Sequence, residues 1–141
     1  MVEYHHLLLK KDPLLGELQK GKDIIYNNNK IKARDATLLV KGKKVTYLSD
    51  TLYSDSCIKA AKNSDILISE ATFGNDLIDK AKEYYHLTSG QAALIAKKAS
   101  VSKLILTHFS QRYKTTGQLE KEAKKIFKNT IMAKDFMQLD I

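Results

Sequence analysis

The pattern of hydrophobic and polar positions in the first third of the chain predicts short elements joined by turns. The run PLLGELQK predicts a short helix that ends at Gly21. The segments 22–25 and 30–33 bracket a run of asparagines, which favours a hairpin turn with positive φ. The segments 37–40 and 44–48 flank the turn sequence KGK, so the same reasoning predicts a second hairpin there.

After residue 48 the pattern changes to an alternation of helices and buried strands. The segments 65–69 (DILIS) and 103–107 (KLILT) are short and apolar throughout, as buried strands are. The tail, 130–141, is long enough for one or two further strands. Apolar residues at helical spacing predict helices over 54–63, 76–85, 89–100 and 118–129. This order, with short connections, predicts a protein of the α/β class.

Composition narrows the class of protein without fixing its function. The 141 residues are 43% hydrophobic and 28% charged, which is a globular composition and suits one domain or part of a larger one. The apolar runs are too short for a membrane span or a signal peptide, so we expect a cytoplasmic protein. The single cysteine, Cys57, excludes an intrachain disulfide and is predicted to be a buried thiol on a helix. The net charge of +8 would attract polyanions, although lysines used only as solubilising groups would give the same value.

Polar clusters follow the predicted strands at the places where α/β proteins bind ligands. Asp50 lies in SDT, Glu70 in SEAT and His108 in THFS, each just after a strand, and His86 lies in HLT between two helices. These residue types hold metals or move protons. Each also has a structural alternative, since Asp50 and His86 could cap helices, Glu70 could be a surface carboxylate and His108 could be structural. Asp50 and His108 alone are too few for a metal site, and the chain contains no HxH motif.

The motifs SDT, SEAT, HLT and THFSQRY occur in the order in which ribonuclease Z carries their counterparts. From about Gly16 to Tyr113 the chain resembles the C-terminal half of this tRNA 3′-processing endoribonuclease of the metallo-β-lactamase superfamily. The resemblance implies an α/β fold, half of an αββα sandwich, with a mixed sheet and helices on one face. It implies one domain over 1–141, in which 7–21 is the remnant base of the arm that grips the tRNA elbow.

The resemblance also implies a role for each candidate residue. Asp50 corresponds to the ligand that bridges two zinc ions, and His108 to a ligand of the second zinc. His86 corresponds to the histidine that contacts the scissile phosphate and protonates the leaving oxygen. Glu70 corresponds to the carboxylate that orients this histidine and keeps it protonated. Three more residues would lie in loops beside the substrate: Thr88, Ser110 and Arg112.

As a whole, the resemblance implies a zinc-dependent nuclease that removes the 3′ trailer from precursor tRNA and leaves a 3′-hydroxyl. The chain departs from the family at Ser69, where the motif has histidine, and at Asp12, where the arm has glycine. It also lacks the family's HxHxDH motif, which supplies most ligands of the two zinc ions. We therefore expect a chain that is inactive alone and needs a partner half or subunit that bears HxHxDH. A homodimer is also expected from the resemblance, and a membrane partner is not.

Two other functions stay open at the level of sequence. The chain could be a non-catalytic tRNA-binding or interaction module built from the same half, which its net charge of +8 would suit. It could also be another superfamily member, such as an arylsulfatase-like enzyme or a phosphodiesterase, but the pairing of SEAT with HLT is typical of the tRNA-processing branch. Zinc content, measured with and without an N-terminal half, distinguishes the module from a split enzyme.

Overall fold

The computed structural model describes residues 13–38, 40 and 42–140. Between Gly42 and Lys43 the chain divides into two compact units. Each unit has its own cluster of buried apolar side chains. Among the described residues, every helix is too short or too polar to cross a membrane.

The first unit is built around a short antiparallel hairpin. Its elements are α1 (Leu14–Gln19), β1 (Ile24–Tyr26), β2 (Asn29–Ile31) and α2 (Ala33–Ala36). Asn27 and Asn28 form the turn with φ of 49° and 63°, which confirms the first predicted hairpin. Leu18, Ile24 and Ala33 are its buried core. The predicted base of the tRNA-binding arm falls partly here and stays a prediction, since 7–12 lie outside the described residues.

The second unit is a four-stranded sheet with helical connections, as the α/β pattern predicts. Its elements are β3 (Val45–Leu48), α3 (Asp55–Ala61), β4 (Ile66–Glu70), α4 (Ile78–Glu83), α5 (Ser89–Lys98), β5 (Lys103–Thr107), α6 (Gly117–Ile126) and β6 (Thr130–Met132). The strands lie in the order β3-β4-β5-β6 and every described ladder among them is parallel. A helix between successive strands returns the chain to the same end of the sheet, which makes the neighbours parallel.

Two expectations about strand pairing differ from the structure. The described ladders of this sheet are parallel rather than mixed, and antiparallel pairing within the described residues is confined to β1 and β2. The second predicted hairpin is wrong, because the segment 44–48 contributes β3, which pairs in parallel with β4. Thr37, Leu38 and Val40 lie in no strand, and residues 39 and 41 are outside the described part of the chain. The hairpin prediction failed because a turn signal predicts pairing with the neighbouring segment, whereas β3 pairs with β4, a strand about 20 residues further along the chain.

The helices bury one face of the sheet, and the opposite face is partly accessible, since Ile66 and Ile105 on that face are also buried. Leu67, Leu104 and Leu106 are fully buried in the core beneath α3, α5 and α6. On the opposite face Val45 and Tyr47 are 45% and 62% exposed. An apolar groove of about 380 Å³ lies on this open face, lined by Val45, Tyr47, Ile66, Ile68, Ile105, Thr107, Ala133, Lys134, Met137 and Leu139.

Strand register brings the predicted site residues to one edge of the sheet. Leu48 pairs with Ser69, and Glu70 pairs with Thr107, so β3, β4 and β5 end side by side. Asp50 follows β3, Glu70 is the last residue of β4 and His108 follows β5. The carboxyl ends of parallel strands are where open α/β sheets bind ligands.

Candidate metal and catalytic site

Asp50, His86 and His108 converge into a cluster that could hold a metal ion. Each offers a ligand atom, and these atoms lie within 4.8 Å of one another. The Asp50 Oδ1 atom is 3.6 Å from His86 Nδ1 and 3.8 Å from His108 Nδ1. The two imidazole ring centroids are 5.3 Å apart. In the described part of the chain this is the one such group of three or more histidine, cysteine or carboxylate side chains.

The backbone at this cluster takes the left-handed conformation repeatedly. Asp50 has φ of 46° and His108 has φ of 56°, each in the turn that leaves a strand. Tyr85, directly before His86, has φ of 60°. Such angles are uncommon outside glycine, although aspartate and histidine tolerate them better than most residues do. Strained residues of this kind persist only where the surrounding structure holds them, and they often cluster at functional sites.

Glu70 is the buried acceptor that organises the cluster. Its side chain has no exposed surface. One carboxylate oxygen accepts a hydrogen bond from the Thr51 backbone N–H at 2.8 Å, and the other accepts from Thr72 Oγ1 at 2.7 Å and from His86 Nδ1 at 3.0 Å. An ionised carboxylate only accepts, so the proton of neutral His86 sits on Nδ1 and its Nε2 keeps a free lone pair. The alternative of a surface carboxylate at this position is wrong.

Thr72 links Glu70 to His108, a role that the sequence reasoning missed. Its hydroxyl donates to Glu70 and lies 3.0 Å from His108 Nδ1. The one hydroxyl hydrogen is directed to Glu70 or to the His108 carbonyl, which is 3.0 Å away, so toward the ring the hydroxyl accepts from Nδ1–H and leaves His108 Nε2 as the other nitrogen. Thr72 is the last residue of the SEAT motif, so the motif contained the signal. Its contact with a histidine 36 residues further along the chain exists only in the fold.

Neither capping alternative for the site residues holds in the structure. The N-cap of α3 is Ser54 rather than Asp50, and the N-cap of α5 is Thr88 rather than His86. Thr88 is buried, and its hydroxyl accepts from the Gln91 backbone N–H at 3.2 Å. The Gln91 side chain in turn accepts from the Thr88 backbone N–H at 3.0 Å, which completes a capping box. The Thr88 side chain thus ends the HLT loop as a cap, away from solvent.

Thr88→Ala is expected to lower the free energy of unfolding by about 1–2 kcal/mol, because it removes a buried capping hydroxyl. Thr88→Ser keeps the hydroxyl and should recover most of that loss. Urea unfolding of the three proteins followed by circular dichroism measures the difference. An alanine variant as stable as the original protein would mean that the cap contributes nothing to stability.

Ser110 and Arg112 lie together beside the two histidines. The Arg112 Nε–H donates to Ser110 Oγ at 3.1 Å, and its guanidinium carbon is 5.0 Å from the centroid of the Phe73 ring. The Phe73 ring in turn meets His86 edge-on, with centroids 6.0 Å apart. Arg112 is exposed, so the structure places a cation at the rim of the site. Phe73, which supports both side chains, was not anticipated from the sequence.

The donor set suits zinc but is short for a two-metal centre. One carboxylate and two imidazoles are zinc ligands, and a catalytic zinc commonly has three protein ligands. The second nitrogen of each imidazole is bound to Glu70 or Thr72, the arrangement that orients histidine ligands. Two metal ions held as a pair require more ligands than these three residues provide. The cluster therefore fits part of a metal centre.

Comparisons with known proteins agree in sequence and in structure. Ribonuclease Z of Archaeoglobus fulgidus is 43% identical over 132 residues, which are 92% of this chain and 43% of that protein. Ribonuclease Z of Lactobacillus helveticus is 41% identical over 133 residues, again 92% of this chain and 43% of that protein. The chain thus spans about two fifths of the length of the curated relatives it matches. No family model matches it.

Among solved structures, the metallo-β-lactamase fold protein YhfI from Bacillus subtilis is 37% identical with a TM-score of 0.59, covering 64% of this chain and 36% of that chain. The short form of human tRNase Z is 33% identical with a TM-score of 0.53, covering 77% of this chain and 35% of that chain. The parallel sheet and its helices are therefore those of a metallo-β-lactamase fold protein. Within that fold, the chain resembles ribonuclease Z over nearly its whole length, as the four motifs predicted.

Proposed function

We propose that this chain supplies the C-terminal half of a zinc-dependent ribonuclease Z, which removes the 3′ trailer from precursor tRNA and leaves a 3′-hydroxyl. The observation that carries the proposal is the buried Glu70 carboxylate, which holds His86 beside Asp50 and His108. A metal-ligand pair next to an oriented imidazole is what hydrolysis of a phosphodiester needs. The identity of 34–43% to proteins named ribonuclease Z supports this substrate class.

Each residue has a distinct part in the proposed reaction. Asp50 and His108 hold metal, and zinc when bound supplies Lewis acidity toward the phosphoryl oxygens. His86 in its doubly protonated form delivers its Nε2 proton to the leaving 3′-oxygen, while Glu70 keeps Nδ1–H bound and so fixes the ring for that transfer. Arg112 and Ser110 contact phosphate at the rim, where a guanidinium pairs well with phosphate oxygens. Thr88 contributes through the helix that it caps rather than through a contact with RNA.

The proposed partner is an N-terminal half that bears HxHxDH, either on another chain or on a longer form of this one. The three clustered ligands are too few for two metal ions, so others must come from outside the described residues. The sheet face opposite the helices supports a sheet-on-sheet contact, since Val45 and Tyr47 are exposed beside the apolar groove there and an exposed apolar patch marks an interface. A tRNA would be held largely through its phosphates, which the net charge of +8 suits.

Zinc content of the purified chain, alone and mixed with the HxHxDH-bearing half of a relative, tests the proposal. We expect little zinc on the chain alone, about two zinc ions per heterodimer and trailer cleavage of a precursor tRNA only in the mixture. Asp50→Ala should abolish the gain in zinc. Asp79→Ala, which removes an exposed aspartate on α4, is the matched control and should change nothing.

Tight stoichiometric zinc on the isolated chain would overturn the half-site proposal, because it would require ligands other than these three. Binding of tRNA without metal, with no activity after mixing, would favour the non-catalytic module instead. Robust cleavage by the isolated chain that is lost in Asp50→Ala would contradict the expectation that the chain is inactive alone.

A further inference from the structure

Glu122, on α6, has a set of contacts that the proposed reaction does not use. One of its carboxylate oxygens accepts from the Ser89 hydroxyl at 2.7 Å and from the Asn75 backbone N–H at 2.9 Å. The other accepts from the Gln118 side-chain amide at 3.1 Å. Burial raises the pKa of Glu122, but these hydrogen bonds outweigh burial and leave the pKa below its usual range. The carboxylate is therefore charged at neutral pH and engaged with two separate segments.

Those two segments are the chain after β4 and the start of α5. The Phe73 backbone N–H donates to the Leu87 carbonyl at 3.3 Å, and the Ser89 N–H donates to the Phe73 carbonyl at 2.9 Å. Next to this bridge, the Gly90 N–H donates to the Asn75 side-chain oxygen at 3.0 Å. A Cβ at Gly90 would clash with that oxygen, so any larger residue would push the Asn75 side chain out of this contact. We call these contacts, closed by Glu122, the 73–90 clamp.

His86 lies directly at the end of this clamp. On one side its backbone N–H donates to the Ala81 carbonyl at 2.8 Å, and on the other side Leu87 is fully buried and paired with Phe73. The Glu70 carboxylate that holds the His86 ring belongs to β4, the strand from which residues 73–75 continue. The clamp therefore joins the loop that carries the imidazole to the strand that carries its acceptor.

We propose that Glu122 is a positioning residue for His86. By tying Asn75 to Ser89 it fixes the His86 loop on the end of β4, and so keeps the imidazole Nδ1–H on Glu70. Glu122 itself does not touch the substrate. The consequence for cleavage rests on the proposed function, because a misplaced imidazole matters to kcat only where His86 acts as the acid.

Nuclear magnetic resonance of the chain alone tests the clamp without assuming any activity. In the original protein the His86 Nδ1–H bound to Glu70 should give a downfield proton signal protected from exchange with water. Glu122→Ala should speed exchange of the Asn75 and Gly90 amides about tenfold or more and remove the His86 signal. Glu122→Gln, which keeps an accepting oxygen, should restore both in large part. Glu120→Ala, which removes an ion pair with Lys124 on the same helix, is the matched control.

A second variant covers the case in which Glu122→Ala fails to fold. Asn75→Ala removes only the side-chain acceptor of Gly90 N–H and should weaken the same His86 signal. An unchanged His86 signal in Asn75→Ala, or in a folded Glu122→Ala, overturns the positioning role. In the mixture with an N-terminal half, Glu122→Ala should lower kcat about tenfold with KM unchanged. If Glu122→Ala loses the His86 signal but the original chain mixed with an N-terminal half shows no cleavage, the clamp is supported and the proposed function is contradicted.

Discussion

His86→Ala is expected to lower kcat for trailer cleavage by the reconstituted enzyme about 10²- to 10⁴-fold, the range of a lost general acid. In the proposed mechanism the alanine cannot protonate the leaving 3′-oxygen, whereas Asp50 and His108 would still hold metal. Zinc content and KM should therefore stay close to their original values. Steady-state cleavage of a precursor tRNA at varied concentration, with zinc measured on the same sample, gives all three quantities.

The zinc measurement separates the two roles that the geometry allows His86. It belongs to the cluster of possible ligands, yet its Nδ1–H is held by Glu70 as a proton-transfer imidazole would be. Loss of zinc together with activity in His86→Ala would assign it as a ligand and contradict the acid role. Asp50→Ala should lose both, and Lys82→Ala, an exposed change on α4, should lose neither.

Glu70→Ala is expected to lower the free energy of unfolding of the chain by about 3–5 kcal/mol. The substitution leaves Thr51 N–H and His86 Nδ1–H without their buried acceptor, whereas Thr72 Oγ1–H can still donate to the His108 carbonyl at 3.0 Å. Glu70→Gln keeps the volume and one accepting oxygen, so a smaller loss of about 1–3 kcal/mol is expected. Urea unfolding measures both.

Glu83→Ala is the control for this pair, since it removes an exposed glutamate from α4 and should leave stability unchanged. A Glu70→Ala variant as stable as the control would mean that the buried carboxylate contributes nothing to stability, and the network around it would need another explanation. Metal-free samples are needed for this comparison, because bound zinc would add its own stabilisation.

Much of the second unit follows from local pattern. The short apolar segments around Leu67 and Leu104 predicted β4 and β5, which the structure confirms: both strands are largely buried on both faces, and such strands are apolar at nearly every position. Helical spacing predicted α3, α5 and α6 to within a few residues at their ends. The second hairpin failed because a turn signal such as KGK says nothing about which strand a segment will pair with.

The sequence by itself determined the candidate site residues: the motifs around Asp50, Glu70, His86 and His108 were recognisable before any geometry, because each combines a strand or loop end with a metal-binding or proton-transferring side chain. Only the tertiary structure decided what those residues contact. Parallel register brought Asp50 and His108 to one edge of the sheet. Burial made Glu70 the acceptor for three donors, and the fold placed the Thr88 hydroxyl as the N-cap of α5. Hydrogen bonds between residues 16 to 47 positions apart, such as those of His86, Thr72 and Glu122, depend on packing, which no local sequence pattern encodes.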